Sequence, residues 1–364
     1  MEIPTLSNHL RRLAPFAAIA ALIAACSGPG ASTVPSSSQP AESAESSTPA
    51  ESAPAEAASI TVYSGRSEEL VGPLLEEFTA ATGIEVEARY GDTAEMANLI
   101  LTEGENSPAD VFFAQDAGAL GAIAEEGLLA PIPSELLERV DERFRSTAGE
   151  WVGVSGRARV VAYNTEALTE ADLPDSIFGF TDPEWSGRIG WAPTNGSFQS
   201  FVTAMRVIEG DDRAREWLEG IQANEPNVYD GNSAALEAVA AGEIDIAFIN
   251  HYYLFQRLAE DPETTAANYF VTDGDPGALV NVAGAGILGT APNAEGATAL
   301  VDYLLGEEAQ AYFATETFEY PLIEGVTADP ALPELSEIGT PNIDLSDLSD
   351  LEGTLQLLQE VGIL

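Results

Sequence analysis

The body of the chain alternates between short strand-like runs and helical stretches, and this alternation limits the fold more than any other feature. Residues 60–63 are β-rich, and residues 68–82 then place apolar side chains at helical spacing. Residues 84–90 alternate apolar and polar side chains like a strand, residues 93–103 return to helix, and residues 110–114 are typical of a buried strand. This order predicts an α/β fold with a mixed, mainly parallel sheet that helices cover on both faces.

A second α/β set begins near residue 157, and later elements return to the first set. Residues 157–163 and 244–250 are typical of strands, and residues 277–288 lead back towards the first set. Two sets joined by more than one crossing predict a two-lobed clamshell, with crossings near Gly156 and residues 274–284. The expected limits are residues 59–155 plus 276–330 for lobe 1 and residues 156–275 plus 331–364 for lobe 2.

The first 58 residues precede this body and differ from it in composition. Arg11 and Arg12 are followed by an apolar run over residues 13–25, which is shorter than the ~20 residues that a membrane-spanning helix needs. We expect residues 1–25 to be a lipoprotein signal peptide and Cys26, the only cysteine, to be the lipidated first residue of the mature chain. Residues 26–58 are rich in Ser, Ala, Pro and Glu and should form a disordered tether.

Acidic side chains dominate the charge of the chain. It has 14 Lys+Arg against 60 Asp+Glu, a formal net charge of -46, and all of the basic residues are arginine. This charge excludes nucleic acid as a partner and limits any membrane contact to the lipid anchor. The acidic surface either attracts cations or stays hydrated in a saline medium, and salt should stabilise the fold by screening the repulsion.

The residue types that enzymes use most are scarce in the body. His251 is its only histidine, it has no thiol, and it contains no nucleophile elbow, phosphate-binding loop or zinc-protease motif. Zinc and copper sites favour clusters of histidine and cysteine, which are also absent. We therefore do not expect an enzyme, and an extracytoplasmic hydrolase built on His251 is the weaker alternative.

Tyr252 and Tyr253 follow an apolar strand and open a predicted helix. Ligands in open α/β sheets bind at the carboxyl ends of strands, and adjacent residues in a first helical turn lie about 100° apart, so both phenols can face one site. A phenol is a poor ligand until a strongly Lewis-acidic ion displaces its proton, and Fe(III) with oxygen ligands meets this condition. The alternative is that the two rings pack in a core or stack on an organic ligand.

A small polar turn, residues 194–198, immediately precedes another predicted helix. Backbone amides at a helix N-terminus, together with Asn and Ser side chains, form a site for anions. An ordinary helix N-cap explains the same residues.

Seven short segments, taken together and in order, resemble the ferric-ion-binding proteins of bacterial iron ABC importers. These proteins are transferrin-like periplasmic-binding-protein clamshells of type II, and the likeness covers nearly the whole body. The segments are Val62-Tyr63-Ser64-Gly65-Arg66, residues 107–113, residues 155–161, Gly190 with residues 194–198, Asn250-His251-Tyr252-Tyr253, residues 275–280 and Glu319-Tyr320-Pro321-Leu322.

The resemblance implies a site for Fe(III) and a synergistic anion, either phosphate or carbonate. It implies that Tyr252 and Tyr253 bind the metal as phenolates. Tyr163 is the candidate for a third tyrosine, although Ala162 occupies the matching position and a shift of one residue on a strand reverses the side chain. The implied anion-contacting residues are Asn195, Gly196, Ser197, Asn232 and Asn250.

Lobe 1 departs from the pattern of the family. Where many members place a histidine ligand in the first loop, this chain has Ser67. Where they place a glutamate after the Val-Phe-Phe strand, it has Gln115, which can still coordinate or hydrogen-bond the ligand. Asp116 or Glu68 would be the substitutes.

These features predict the extracytoplasmic, lipid-anchored and monomeric substrate-binding protein of an ABC importer, which passes Fe(III) to a permease and its ATPase. Within binding proteins, the alternative is a clamshell for a small anionic or phosphorylated organic solute that binds without metal. A tethered surface protein with no small ligand is the alternative from another class.

Overall fold

The structure is a computed structural model, and it describes residues 58–271 and 274–364. The expected signal peptide, Cys26 and almost all of the expected tether lie outside the described residues. Within the two described ranges, no helix is both long enough and apolar enough to cross a membrane.

Strands and helices alternate along the described chain, as the sequence pattern predicts. The strands are β1 (Ser59–Ser64), β2 (Glu85–Tyr90), β3 (Val111–Ala114), β4 (Leu129–Ala130), β5 (Trp151–Asn164), β6 (Ile189–Trp191), β7 (Asn227–Val228), β8 (Ile246–Asn250), β9 (Ala266–Tyr269), β10 (Val280–Leu288) and β11 (Tyr320–Pro321). The α-helices are α1 (Glu68–Thr82), α2 (Thr93–Glu103), α3 (Ala117–Glu125), α4 (Ser134–Leu137), α5 (Gly196–Glu209), α6 (Asp211–Ala223), α7 (Asn232–Ala240), α8 (Tyr252–Glu260), α9 (Ala294–Leu304), α10 (Glu307–Thr315) and α11 (Leu351–Glu360).

Helix α1 shows how local sequence produces these elements. Its apolar side chains recur at helical spacing and form one buried stripe, made of Val71, Leu74, Leu75 and Phe78. The helix ends at Gly83, whose φ of 74° is left-handed and therefore favours glycine. The Gly83 N–H donates to the Thr79 carbonyl at 2.8 Å and so satisfies one of the last carbonyls of the helix.

A continuous sheet runs through the described chain in the order β2-β1-β3-β10-β5-β8-β6-β7, with β11 and β9 paired to β5 and β4 paired to β10. Pairing is parallel within β2-β1-β3 and within β8-β6-β7. It is antiparallel where β10 and β5 join these two groups. The fold is therefore mixed α/β, and each parallel group presents the carboxyl ends of its strands at one edge, where loops can form a site.

Strand β5 belongs to both groups. It is 14 residues long; residues 151–158 pair with β10, and residues 159–163 pair with β8. The ladder with β10 is irregular between Ala283 and Gly284, where a Cβ on Gly284 would lie 2.8 Å from the Val152 carbonyl oxygen. The two halves of the fold are thus joined through paired strands, close to the crossings expected near Gly156 and residues 274–284.

Buried apolar side chains form three clusters. The first surrounds β1, β3 and β10, and the other two lie on opposite faces of the sheet around β8. The C-terminal segment contributes to more than one cluster: Leu332, Ile338, Leu345 and Leu348 pack in the first cluster, and Leu357 and Leu358 pack in the second. Residues 332–348 therefore pack with the first half, although the predicted limits assign residues 331–364 to lobe 2.

Candidate ligand-binding site

Tyr252 and Tyr253 are the first two residues of α8, directly after the end of β8 and His251. Tyr252 is buried, and Tyr253 is partly exposed. Their rings stack with centroids 4.3 Å apart and planes inclined by 27°. The structure therefore brings the two phenol rings together at the carboxyl end of a strand, where the sequence pattern places a ligand.

The environment of Tyr252 disfavours ionisation in the absence of a ligand. Burial raises the pKa of Tyr252 well above its ordinary value, and a charge on Tyr253 would raise it further. The positive charges of Arg66 and Arg157 act in the opposite direction on the pKa of the same phenol. Tyr252 therefore keeps its proton at neutral pH unless a cation displaces it.

A buried ion pair joins the end of β1 to the segment before β11. Arg66 Nη2 donates to Glu319 Oε1 at 2.7 Å, and both side chains are almost fully buried. Ser155 Oγ, on β5, donates to the other oxygen of Glu319 at 2.7 Å. A buried carboxylate requires such partners because an uncompensated charge is costly in a region of low dielectric constant.

Arg157 and Arg159 lie on the same face of β5 because side chains two residues apart on a strand point the same way. Both are buried. Arg159 Nη2 donates to the Phe248 carbonyl at 2.7 Å, and burial lowers the pKa of Arg159 to about 9. In the described part of the chain, Arg157 Nε, Arg157 Nη1 and Arg159 Nε are buried without a hydrogen-bond partner. Buried donors of this kind indicate a place for an anionic group.

The polar turn before α5 lies beside these arginines. Asn195 caps α5 by accepting a hydrogen bond from the Ser197 N–H at 3.0 Å, so the ordinary N-cap is present. Asn232, the first residue of α7, donates to Ser197 Oγ at 3.2 Å. Arg159 Nη1 lies 3.5 Å from both Ser197 Oγ and Asn250 Oδ1. Hydrogen bonds therefore connect four of the five residues that the resemblance implies for the anion.

Asn250 and Gly196 give the same cluster further groups that can donate to an anion. Asn250 Nδ2 is a buried donor without a hydrogen-bond partner among the residues that the structure describes. Gly196, the fifth residue of the implied set, is exposed at the first position of α5. The backbone at the start of this helix is therefore accessible to an anion, in addition to the arginine donors.

The lobe 1 residues that the resemblance suggests as ligands occupy other positions in the structure. Ser67 is exposed at the N-cap position of α1. The Gln115 N–H donates to Thr93 Oγ1 at 3.1 Å, and Asp116 caps α3 by accepting from the Ala119 N–H at 3.1 Å. Burial raises the pKa of Asp116, while its hydrogen bond from Ala119 acts against that rise. Within residues 58–271 and 274–364, no hydrogen bond joins these side chains to Tyr252 or Tyr253, and no group of three or more His, Cys, Asp and Glu residues is arranged to hold a metal.

Tyr163 lies on the opposite face of β5 from the residue that matches the family position. Tyr163 packs in the cluster that contains Phe248, whereas Ala162 packs in the cluster that Tyr253 contacts. The cause is the two-residue period of a strand, which sends neighbouring side chains to opposite faces. The structure does not bring Tyr163 to the tyrosine pair.

His251 has no accessible ring nitrogen. It is fully buried, Nδ1 accepts from the Ala158 N–H at 3.1 Å, and Nε2 donates to the Phe318 carbonyl at 2.8 Å. Burial lowers the pKa of His251 to about 4, so the ring is neutral at neutral pH. A general base must reach its substrate, so this geometry disfavours the hydrolase alternative.

Residues 106–345 match the sequence profile of bacterial extracellular solute-binding proteins. The chain belongs to this family. This solute-binding protein is 36% identical to the major ferric iron-binding protein of Neisseria meningitidis over 311 residues, which cover 84% of the chain and 93% of the relative. It is 32% identical to the Fe(3+)-binding periplasmic protein of Serratia marcescens over 308 residues, 84% of the chain and 90% of the relative.

Solved structures agree with the sequence relatives. The iron-bound HitA protein of Pseudomonas aeruginosa superposes with a TM-score of 0.80 at 36% identity and covers 84% of this solute-binding protein and 99% of its own chain. The Trichodesmium IdiA (FutA) protein in complex with iron and citrate superposes with a TM-score of 0.73 at 31% identity, over 84% and 100% of the two chains. These findings confirm the predicted type II clamshell fold and the resemblance to ferric-ion-binding proteins.

The structure also identifies two candidate binding residues that sequence reasoning missed. Arg157 and Arg159 lie within the matching segment 155–161, and the sequence pattern predicts no role for them. The available signal was their spacing: two arginines, two residues apart, within an otherwise apolar strand. Charged side chains are almost never fully buried without partners, so such a pair in a predicted core strand indicates a ligand.

Proposed function

We propose that this chain captures Fe(III) together with an anion between its two lobes and delivers the metal to the permease of an ABC importer. Tyr252 and Tyr253 bind the metal as phenolates in this proposal, and phosphate or carbonate completes the shell. The proposal draws support from relatives that are named for ferric iron binding. The importer's ATPase would drive transport across the membrane.

The observation that carries the proposal is the stacked phenol pair next to buried guanidinium groups. Two phenolates leave one positive charge of Fe(III) unbalanced. Arg66, Arg157 and Arg159 add positive charge around the same site, and Glu319 is the carboxylate paired with Arg66. An anion is therefore needed for charge balance, and the unbonded donors of Arg157 and Arg159, together with the accessible start of α5, supply its hydrogen bonds.

Proton competition follows from the burial of Tyr252. Because burial raises the pKa of Tyr252, the metal-free protein holds that proton at neutral pH, and binding of Fe(III) as a phenolate complex releases it. Affinity for Fe(III) should consequently fall as the pH falls, since protons compete with the metal for both phenols.

A second candidate is a site for a small anionic or phosphorylated organic solute without metal. The excess of buried guanidinium donors over carboxylate oxygens favours it, because guanidinium groups recognise phosphate and carboxylate. In that case the two tyrosine rings would stack on the solute, and their hydroxyl groups would matter little.

Titration with chelated Fe(III) in the presence of phosphate or carbonate distinguishes the two candidates. Wild type, Tyr252→Phe and Tyr253→Phe are compared by visible absorbance, with Tyr163→Phe as the matched control because Tyr163 packs in a different cluster. We expect colour in wild type and Tyr163→Phe, and its loss with loss of affinity in the other two variants. A colourless wild type, or equal colour in all four proteins, would show that the iron proposal is wrong.

We further propose that the protein acts as a monomer on the outer face of the cell membrane, attached through a lipid on Cys26. The support is the short apolar segment before Cys26 and the Ser/Ala/Pro/Glu-rich segment after it. Mass spectrometry of the protein from a membrane fraction tests the attachment. An unmodified Cys26, or a mature N-terminus elsewhere, would contradict it.

A further inference from the structure

His251 separates β8 from α8, and each of its polar groups is hydrogen-bonded. Its N–H donates to the Ala158 carbonyl at 3.0 Å, and its carbonyl accepts from Asn268 Nδ2 at 2.8 Å. The ring bonds described above attach Nδ1 to Ala158 and Nε2 to Phe318. Because the Ala158 N–H donates to Nδ1, the ring proton is on Nε2. The Leu254 N–H also donates to the His251 carbonyl at 3.3 Å, so five hydrogen bonds fix the backbone and the ring of this residue.

The side chain of His251 does not cap the helix that it precedes. A residue at this position commonly bonds to the backbone of the first helical turn. In the described chain, His251 makes no such side-chain bond to α8. Its ring bonds instead reach residues 93 and 67 positions away in sequence. The ring therefore anchors the start of α8 to β5 and to the segment before β11.

The segment that accepts the hydrogen bond from the His251 ring is itself held in an unusual conformation. Phe318 has a φ of 57°, which is rare for a residue other than glycine and persists only when surrounding contacts enforce it. The Phe318 ring stacks on Phe255 of α8 at 6.1 Å between centroids. The next residue, Glu319, is held by the buried ion pair with Arg66. Contacts on both sides therefore fix the Phe318 carbonyl that accepts from His251.

The ring of His251 also contacts the ring of Tyr252. It meets the Tyr252 ring edge to face, with centroids 5.8 Å apart and planes at 85°. The centroid of the same imidazole lies 4.9 Å from that of the Tyr320 ring. A displacement of the imidazole therefore changes the position of Tyr252 directly.

We propose that His251 is a positioning residue for the two phenols. It holds the first turn of α8 against β5 and against Phe318, so that the oxygens of Tyr252 and Tyr253 keep the separation that one metal ion requires. Metal ligands need support to within about 0.5 Å to bind tightly. This inference rests on the proposed function, Fe(III) binding through both phenols.

The test compares His251→Ala and His251→Gln with Asn224→Ala. Asn224 is a matched control because it is also buried and its side chain bonds two backbone groups, the carbonyls of Phe180 and Asp182, at 3.1 and 2.9 Å. Fe(III) affinity is measured by competition with nitrilotriacetate in the presence of phosphate or carbonate. The wavelength of the phenolate-to-iron absorption band and the urea stability of the metal-free protein are measured in parallel.

We expect His251→Ala to lose roughly 10–100-fold in Fe(III) affinity, as is typical when support behind a metal ligand is removed, and to shift the absorption band. His251→Gln, whose amide can still donate to the Phe318 carbonyl, should lie between wild type and His251→Ala. Asn224→Ala should lose stability but keep both the affinity and the band. If His251→Ala does not fold, the comparison of His251→Gln with Asn224→Ala still tests the positioning role of His251.

Two results would overturn the inference. One is a coloured wild type in which the His251 variants keep its affinity and band. The other is an equal loss of affinity in the His251 variants and in Asn224→Ala, which would reflect stability alone. A wild type that binds Fe(III) without any phenolate band would instead contradict the proposed function, so the two failures are distinguishable.

Discussion

The two halves of the fold contribute differently to the candidate site. The half that contains β8 carries the phenols of Tyr252 and Tyr253 and the polar turn before α5. The half that contains β1 carries an exposed Ser67 where the resemblance places a ligand, and it provides the buried pair of Arg66 and Glu319. In the proposed mode of binding, one half therefore supplies the atoms that contact the ligand, while the other supplies buried charge behind them.

The largest expected effect is a loss of Fe(III) affinity, and it should differ between variants of the two halves. Tyr253→Phe should lose more Fe(III) affinity than the roughly 10–100-fold that removal of an outer support costs. Gln115→Ala and Ser67→Ala should each change the affinity by less than about tenfold, because in the described residues neither side chain is hydrogen-bonded to the tyrosine pair. Competition titrations of the three variants check this. A loss in Gln115→Ala as large as that in Tyr253→Phe would mean that both halves supply ligands.

The next effect concerns the stability of the metal-free protein. Arg66→Met leaves Glu319 buried without its ion-pair partner and should lower the free energy of unfolding by about 3–5 kcal/mol. The double variant Arg66→Met with Glu319→Met removes both charges and should cost less. Arg213→Ala, which breaks an exposed pair with Glu216, is the control and should cost no more than about 1 kcal/mol. Urea unfolding measures all three, and equal losses for Arg66→Met and the control would contradict the buried-charge role.

The contact between the halves at His251 should make stability depend on pH. Its pKa is about 4 in the folded protein, below the value of about 6.5 expected in the unfolded chain. The unfolded chain therefore binds more protons between these values, so stability is fully present above pH 6.5 and is lost as the pH falls towards 4, by roughly 3 kcal/mol. Urea unfolding of wild type and His251→Gln across this window measures the difference. An identical pH dependence in both proteins would exclude a contribution from His251.

The smallest expected effect is that of salt on the melting temperature, and it should be the same for both halves. The net charge of -46 repels itself in dilute buffer and is screened in molar salt. We expect a higher melting temperature in salt, with a gain of about 2–4 °C for each kcal/mol of stabilisation. Sodium and potassium chloride should act equally because screening depends on ionic strength. An unchanged melting temperature would contradict the screening argument.

Local periodicity was sufficient to predict most of the fold. Helices α1 and α2 have the limits that the sequence predicts, residues 68–82 and 93–103, and α5 begins at Gly196, within the predicted polar turn, because Asn195 acts as the cap. Strand β5 was predicted as residues 157–163 and is twice as long, since its first half pairs with β10 across more than a hundred residues of sequence. Helix α11 was missed because its packing partner, α5, lies far away in sequence.

For the candidate site too, some features can be predicted from neighbouring residues and others depend on residues far apart in sequence. The adjacency of Tyr252 and Tyr253, and their location after a strand, can be predicted from neighbouring residues. The pairing of Arg66 with Glu319 joins residues 253 positions apart, and no local pattern predicts it. The unusual φ of Phe318 depends on contacts with α8 and is equally invisible in the sequence.

The long strand β5 also limits how this protein can be divided. A fragment that ends before residue 159 would keep the part of β5 that pairs with β10 but would lack β10 itself, and a fragment that begins at residue 159 would leave β10 without its neighbour. Neither half should therefore fold when expressed alone. Two fragments cut within β5 should regain structure only by complementation, whereas cuts in an exposed turn between helices, such as the one at Gly210, should be far better tolerated.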